Sequence, residues 1–228
     1  MANKKAFIFD SGTLINLAMN GLLYILEPLK KQLGGYFLIT QDVKAEIIDH
    51  PLNVKRFELE ALELQELLDK GILQMPSSIG IDDNVIGEET NILLDKANHF
   101  LQASGSWLKI VSAGEISCLA LSDECNRKGI DTLIGVDERT TRLLAEKPEN
   151  LAKMMSDRLH QRVQLIAGDF AIFRKYRFIR SSELVYVAYK KGFVNLPQNK
   201  KVLDALLYAT KFKGSSISFE EIEELKKL

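Results

Sequence analysis

The sequence predicts a doubly wound α/β protein in which helices cover a central parallel sheet. Short continuous apolar runs alternate with helical patterns along the chain, and 46% of its 228 residues are hydrophobic. Such runs are typical of strands buried on both faces, and right-handed crossovers place the strand-to-helix turns at one edge of the sheet. Because no internal repeat or linker is visible, we expect one domain over residues 1–228.

The first half of the chain alternates between apolar strands and amphipathic helices. Gly34 and Gly35 are expected to end the first helix, and Pro51 the second. In order, we predict a strand over residues 6–9, a helix over 14–32, a strand over 36–40, a helix over 42–49, a helix over 56–70, a strand over 72–75, a loop over 76–87 and a helix over 88–101.

The second half continues the alternation and then becomes mainly helical. Ser112 opens one helix, and Ser218 with Glu221 forms a capping-box pattern before the last one. In order, we predict a strand over residues 108–111, a helix over 112–128, a strand over 132–136, helices over 138–146 and 149–160, an apolar stretch over 163–173, a strand over 176–180, and helices over 182–191, 200–212 and 219–227.

Four acidic residues each lie at or near the start of a helix that follows a predicted strand: Asp10, Glu46, Glu115 and Asp137. Because the carboxyl ends of parallel strands share an edge, their side chains are expected to gather there. Crowded carboxylates repel one another unless a cation lies between them, and oxygen ligands favour Mg²⁺ or Mn²⁺. The pattern therefore predicts a metal site suited to phosphate chemistry.

Each acid also has a purely structural interpretation. Helix starts favour acceptors for their free N–H groups, so Asp10 and Asp137 fit as N-caps, and Ser112 to Glu115 is itself a capping box. Glu46 lies one turn into its helix, where a surface position is equally open. The recurrence of one acid at each of four junctions favours the metal interpretation.

The charge is unevenly distributed. Residues 151–228 carry 15 Lys and Arg against 8 Asp and Glu, although the whole chain has a net charge of −1. A basic carboxyl-terminal part suits phosphate binding, and the candidate RNA-binding segment contains Arg174, Lys175, Tyr176 and Arg177. There the cations would contact phosphates and Tyr176 would stack on a base. The alternative is an ordinary strand whose charges face solvent.

With these residues in view, the chain resembles the PIN-domain family of metal-dependent ribonucleases, in particular a larger subgroup common in archaea. F-I-F-D-S-G-T-L-I-N-L is similar to the family's first motif and I-T-Q-D-V-K-A-E-I to its second. A-G-E-I-S-C-L-A-L and G-V-D-E-R-T-T-R-L-L-A resemble the third and fourth, and the carboxyl-terminal segments resemble the subgroup's closing helices. The resemblance covers most of the chain, with insertions near residues 50–105 and 147–175.

The resemblance implies a three-layer α/β/α fold and an endoribonuclease that leaves 5′-phosphate and 3′-hydroxyl ends. Asp10, Glu46, Glu115 and Asp137 would then bind one or two Mg²⁺ or Mn²⁺ ions, with Glu138 as an accessory acid. Ser11 would order a water or simply cap a helix. The expected partner is RNA, and the family also includes homodimers and toxins with cognate inhibitor proteins.

Two positions depart from the family pattern, and two other functions remain open. Glu115 stands where many members have Asp, and Ser117 stands where related variants repeat an acid. A non-catalytic PIN scaffold that binds RNA or protein is the main alternative. A haloacid dehalogenase-like phosphatase is weaker, because F-D-S-G-T-L has Gly12 where that chemistry needs a second acid.

The compartment is expected to be the cytoplasm. No apolar run resembles a signal peptide or a membrane span. Cys118 and Cys125 are seven residues apart on one predicted helix, which is too far for a disulfide. Two free thiols suit a reducing environment.

Overall fold

The computed structural model describes residues 4–166 and 170–228, and in these ranges seven strands form two sheets. The main sheet is parallel with the order β2-β1-β5-β7, and the second is antiparallel with the order β4-β3-β6. The strands are β1 (Lys4–Phe9), β2 (Tyr36–Leu38), β3 (Leu101–Ala103), β4 (Ser106–Trp107), β5 (Ile130–Gly135), β6 (Val163–Leu165) and β7 (Phe178–Ile179).

The helices flank the main sheet, which confirms the predicted α/β class. Short 3₁₀ turns lie at Leu23–Ile25, Pro51–Asn53, Pro76–Ile79 and Phe170–Ile172, and a π turn at Ala45–Asp49. The α-helices of the described residues are α1 (Ser11–Met19), α2 (Leu26–Leu33), α3 (Gln41–Lys44), α4 (Glu58–Asp69), α5 (Asp83–Ala97), α6 (Ala113–Arg127), α7 (Arg139–Glu146), α8 (Glu149–Leu159), α9 (Ser181–Lys190), α10 (Lys200–Phe212) and α11 (Phe219–Leu225).

The two central strands, β1 and β5, bring their carboxyl ends together. They pair in parallel from Lys4 opposite Ile130 to Phe9 opposite Gly135. The backbone N–H of Asp10 then donates to the carbonyl of Gly135 at 2.9 Å. The turns into α1 and α7 therefore start at the same edge of the sheet.

The predicted helix over residues 14–32 is broken in the structure. Asn20 ends α1, and its side-chain amide donates to the carbonyl of Asn16 at 2.9 Å. Gly21 follows with a φ of 63°, a left-handed conformation that glycine adopts without strain. The chain therefore turns and begins again at α2, although the apolar spacing alone favoured one long helix.

The predicted strand over residues 108–111 is wrong. Leu108 N–H donates to Leu101 O at 2.9 Å, and then Ile110 N–H donates to the Asn98 side chain at 2.7 Å. A side-chain acceptor thus replaces a strand partner just before α6. The antiparallel sheet, formed by two strands before this segment and one far after it, was not predicted, since its strands have only two or three residues each.

Two other predicted strands are shorter than expected. Residues 72–75 contribute a single parallel bridge, in which Gln74 pairs with Leu38 beside β2. The strand predicted over residues 176–180 is reduced to β7. Of the apolar stretch over 163–173, residues 167–169 lie outside the described ranges, and β6 and a 3₁₀ turn occupy the rest.

The buried hydrophobic residues form one cluster that extends from Ala6 to Ile222. Cys118 and Cys125 are both buried within it as free thiols. In the described parts of the chain, every helix is too short or too polar to cross a membrane.

We predict that Gly35→Ala weakens the junction between β1 and β2. A Cβ at Gly35 would lie 2.2 Å from the carbonyl oxygen of Lys5, so the backbone would have to move. The expected loss in unfolding free energy is on the order of 2 kcal/mol, measured by chemical denaturation. Gly87→Ala is the control, because nothing lies within 4 Å of its added Cβ. In the exposed interior of α5 it should stabilise by about 0.5–1 kcal/mol, and equal effects of the two variants would contradict the prediction.

Candidate functional site

Asp10 is buried where β1 ends, with 4% of its surface exposed. As the N-cap of α1, its Oδ2 accepts a hydrogen bond from Gly12 N–H at 3.1 Å. Its Oδ1 is buried and has no hydrogen-bond partner among residues 4–166 and 170–228. The capping interpretation is thus correct for one oxygen, and the other oxygen remains free to bind a cation.

Asp137 lies two residues after the end of β5 and is 3% exposed. It is not the N-cap that the sequence allowed, because Glu138 caps α7. Its Oδ1 accepts hydrogen bonds from Ser181 N–H at 2.8 Å and from the Ser215 hydroxyl at 3.0 Å, whereas its Oδ2 has no partner. A Cβ at Gly12 would lie 3.2 Å from Asp10 Oδ2 and 4.0 Å from Asp137 Cβ. Both aspartates therefore lie close to Gly12.

Glu46 approaches the site from the π turn. Its carboxylate lies against the backbone of Gly114, where an added Cβ would be only 2.7 Å from Glu46 Oε1. Glycine at position 114 thus leaves room for this carboxylate beside the first turn of α6. Glu46 itself is exposed, which is the surface position that the sequence left open.

Glu115 closes the capping box at the start of α6. Its Oε2 accepts hydrogen bonds from the Ser112 N–H at 2.7 Å and the Ser112 hydroxyl at 3.0 Å. The sequence allowed both a cap and a ligand at this position. The structure shows the cap, while the half-buried carboxyl also lines the cleft described below.

The acids influence one another electrostatically. Burial, followed by the charge of Glu115 and then that of Glu46, raises the pKa of Asp10 to about 7. Burial also raises the pKa of Glu115 and that of Asp137, the latter against the opposing effect of the Ser181, Ser215 and Arg180 contacts. Negative charge is therefore disfavoured in this region unless a cation compensates it.

The carboxylate oxygens of the site are chemically suited to bind a hard cation. Across residues 4–166 and 170–228, no three Asp, Glu, His or Cys side chains come together closely enough to hold a metal ion. However, Asp10 Oδ1 and Asp137 Oδ2 are buried acceptors without partners. Such atoms are costly unless something binds them, and carboxylate oxygens are what Mg²⁺ and Mn²⁺ prefer.

A cleft of about 610 Å³ opens in front of Asp10, and we call it the acid cleft. Ser11, Glu115 and Glu138 also line it, whereas Glu46 and Asp137 do not. Glu138 is the N-cap of α7 and accepts a hydrogen bond from the Thr140 hydroxyl at 2.9 Å. The two predicted accessory residues, Ser11 and Glu138, thus share one cleft with two of the four predicted ligands.

The acid cleft also has two cationic residues that the sequence did not indicate, Lys109 and Arg158. Both are exposed. Lys109 lies in the run that was predicted to be a strand, and Arg158 lies near the end of α8, in a presumed insertion. Neither follows a strand of the main sheet, so no local pattern could place them beside Asp10.

The predicted RNA-binding segment lies at the opposite edge of the main sheet. Arg177 pairs with Asp131 and donates to the carbonyl of Thr132, near the amino end of β5. Tyr176 is buried, and its hydroxyl and the Lys175 ammonium both bind Asp123 Oδ2 at 2.8 Å. Tyr176 therefore does not offer its ring to a base. Arg174 is exposed beside it but does not line the acid cleft. We therefore do not assign substrate binding to this segment.

Comparison of the chain with protein-family models, curated proteins and solved structures finds no significant match. The fold and the site define the chain as an α/β protein with acidic side chains gathered at the carboxyl edge of a parallel sheet.

We predict that Asp10→Asn stabilises the metal-free protein at neutral pH. Since the folded-state pKa of about 7 lies above the ordinary value of 3.8, the folded protein holds a proton that the unfolded chain releases in this window. Stability is therefore lost as pH rises between these two values. Without the carboxyl group this loss disappears, and the melting temperature of the variant in chelator should exceed that of the wild type by on the order of 5 °C near neutral pH.

Asp131→Asn is the matched control for this pH series. Asp131 is exposed, and Arg177 lowers its pKa, so the wild-type dependence between those two pH values should persist in this variant. The prediction fails if the melting temperatures of the wild type and Asp10→Asn change with pH in the same way across this window.

Proposed function

We propose that the protein is a metal-dependent ribonuclease with a PIN-like three-layer α/β/α architecture. The observation that carries the proposal is the pair of buried aspartates, Asp10 and Asp137, at the ends of adjacent parallel strands. Each has one carboxylate oxygen without a partner. Glu46 and Glu115 lie beside them on separate elements, so four parts of the chain contribute negative charge to one region.

Asp10 and Asp137 would hold the metal through their free oxygens, and Glu46 and Glu115 would complete the ligand set directly or through waters. When bound, Mg²⁺ or Mn²⁺ supplies positive charge that acidifies an attacking water and offsets negative charge on the phosphate. The Ser181 and Ser215 hydrogen bonds fix the orientation of Asp137. Gly114 leaves the space that Glu46 occupies.

The substrate would enter through the acid cleft. Lys109 and Arg158 provide cations for the phosphate oxygens of a single strand. Glu138 and Ser11 face the same space and can orient a water for attack. Hydrolysis would leave 5′-phosphate and 3′-hydroxyl ends, as the family resemblance implies. The same resemblance suggests a homodimer or a cognate inhibitor protein as further partners.

Two alternative functions can be weighed against the structure. A non-catalytic PIN scaffold fits the engagement of Glu115 Oε2 and Asp137 Oδ1 in structural hydrogen bonds. A phosphatase of the haloacid dehalogenase type is disfavoured because Gly12, where the second acid would be needed, has no side chain, and its N–H donates to Asp10 Oδ2. An RNA-binding scaffold would account for the cations beside the acids, but not for the two buried aspartate oxygens without partners among the described residues.

We predict that cleavage of end-labelled single-stranded RNA requires Mn²⁺ or Mg²⁺ and both aspartates. Asn keeps a carbonyl acceptor for the structural hydrogen bonds but removes the charge that binds the cation. Asp10→Asn and Asp137→Asn should each lower the rate by about a hundredfold or more, because several kcal/mol of charge stabilisation are lost. Asp131→Asn, at the opposite end of β5, should cleave at the wild-type rate. Intact RNA with the wild type, together with no Mn²⁺ binding by calorimetry, would favour the scaffold.

We also predict that Lys109→Ala and Arg158→Ala weaken RNA binding in chelator. The plot of log affinity against log salt concentration should become shallower by about 0.7 for each lost contact to a single strand. The pair Arg174→Ala and Lys175→Ala is the control, since it removes equal charge from residues that do not line the cleft, and its slope should match the wild type. If the slope flattens only in the control pair, RNA binds at the opposite edge of the sheet and not in the acid cleft.

A further inference from the structure

A second cavity, of about 640 Å³, lies on the other side of α7 from the acid cleft, and we call it the α7–α11 cavity. Glu138 and Thr140 line the acid cleft, whereas Arg139 and Arg142 line the α7–α11 cavity. The first turn of α7 thus forms a ridge between the two spaces. A polymer that lies in the acid cleft needs only to cross this ridge to reach the second cavity.

Five cationic side chains line the α7–α11 cavity. Three of its cations make contacts within the protein: Arg142 pairs with Glu146, Arg180 pairs with Glu183 and Glu221, and Lys211 donates to the carbonyl of Ile217. The other two, Arg139 and Lys147, are exposed and form no ion pair with any described residue. Their charges are therefore available to an external anion, with Glu220 as the opposing unpaired acid of the lining.

Buried donors at the cavity point to the same ligand chemistry. Arg180 is 5% exposed, and its Nε has no hydrogen-bond partner although both terminal nitrogens of the guanidinium are engaged. The Ser216 hydroxyl oxygen is also buried without a partner. Because guanidinium and hydroxyl groups donate hydrogen bonds, these sites suit a phosphate rather than a cation.

An aromatic ring completes the lining. Phe219 is half exposed, with the Lys211 ammonium 4.2 Å from its centroid and the Tyr208 ring 5.9 Å away on centroids. A half-exposed aromatic ring beside a cation offers a surface on which a nucleobase can stack. Phosphate donors and a stacking surface together match a nucleotide of a single strand.

The cavity is also connected to Asp137. Ser215, in its lining, donates to Asp137 Oδ1 at 3.0 Å, and the N–H of Ser216 donates to the Asp137 carbonyl at 3.3 Å. An occupant that contacts this serine segment therefore acts on residues that hold a proposed metal ligand in position.

We propose that the α7–α11 cavity binds a second nucleotide of the RNA strand whose scissile phosphate lies in the acid cleft. Arg139 and Lys147 contact the backbone phosphate of that nucleotide, and Phe219 stacks on its base. The identity of the ligand rests on the proposed nuclease function, but its binding does not require cleavage. The enzyme would therefore favour strands long enough to span α7 over very short ones.

The test is equilibrium binding of fluorescently labelled single-stranded RNA to the full chain in chelator. Arg139→Gln combined with Lys147→Gln should weaken binding of a long oligonucleotide and flatten its salt dependence by about 0.7 for each lost phosphate contact. Binding of a dinucleotide, which reaches only one cavity, should change much less. Phe219→Leu keeps an apolar side chain but removes the ring, and should weaken long-strand binding on the order of tenfold.

The matched control is Lys128→Gln combined with Arg174→Gln, which removes the same charge from exposed residues without ion pairs in the described chain. Its affinity for the long strand should equal that of the wild type. Melting temperatures of all variants verify folding, and no loss is expected because Arg139 and Lys147 form no ion pair in the described part of the chain.

The outcomes separate this proposal from the nuclease proposal. If the long strand binds the Arg139 and Lys147 variant as tightly as the wild type, the second nucleotide site is refuted, whether or not the wild type cleaves RNA. If the wild type never cleaves but the variant still loses long-strand affinity, the site stands and the nuclease proposal fails. Equal weakening for the long strand and the dinucleotide would indicate a general charge effect and refute the spanning strand.

Discussion

The parallel pairing of β1 with β5 is the constraint on which the candidate site depends. It ends both strands at the same level, with Phe9 opposite Gly135, and so buries Asp10 and Asp137 side by side. Three helices start from this edge, since Asp10 caps α1, Glu138 caps α7, and the Ser181 N–H at the start of α9 donates to Asp137. Free N–H groups at helix starts partly stabilise the buried carboxylates, so the same contacts build the fold and orient the acids.

That stabilisation is incomplete. Helix starts satisfy one oxygen of each aspartate and leave the other without a partner, and burial with neighbouring acids raises the pKa of Asp10 to about 7. A protein without a ligand gains nothing from such an arrangement, because an unpaired buried acceptor opposes folding. Unfavourable local energetics of this kind are typical of functional sites, and here they identify where a cation would restore the balance.

Close approach of the backbone is the second requirement of the site. Gly114 lets the Glu46 carboxylate lie against α6, and Gly12 fits beside both aspartates. Around these acids the surface changes sign, because Lys109 and Arg158 line the acid cleft while Arg139 and Lys147 line the cavity beyond α7. Under the function we propose, the alternation of acidic and basic groups guides a polyanion toward the metal without neutralising the acids themselves.

The sequence alone determined the strand-to-helix alternation and the acids at its junctions. Periodicity and capping residues are local, so the strands around Phe7 and Ile134 and the helices that follow them were predictable from neighbouring residues. The N-cap at Asp10 and the capping boxes at Ser112 and Ser218 were also visible, since a cap involves residues only two or three positions apart.

The surroundings of those acids depend on how the elements pack together. The break at Gly21, the side-chain acceptor Asn98 in place of a strand partner, and the burial of Tyr176 against Asp123 all depend on contacts distant in sequence or on backbone conformation. Lys109 and Arg158 reach Asp10 from separate segments, for which no spacing rule exists. A local pattern specifies elements and their ends, whereas the partner of a side chain is fixed when those elements pack together, and that packing assigned Tyr176 to the core and Lys109 and Arg158 to the acid cleft.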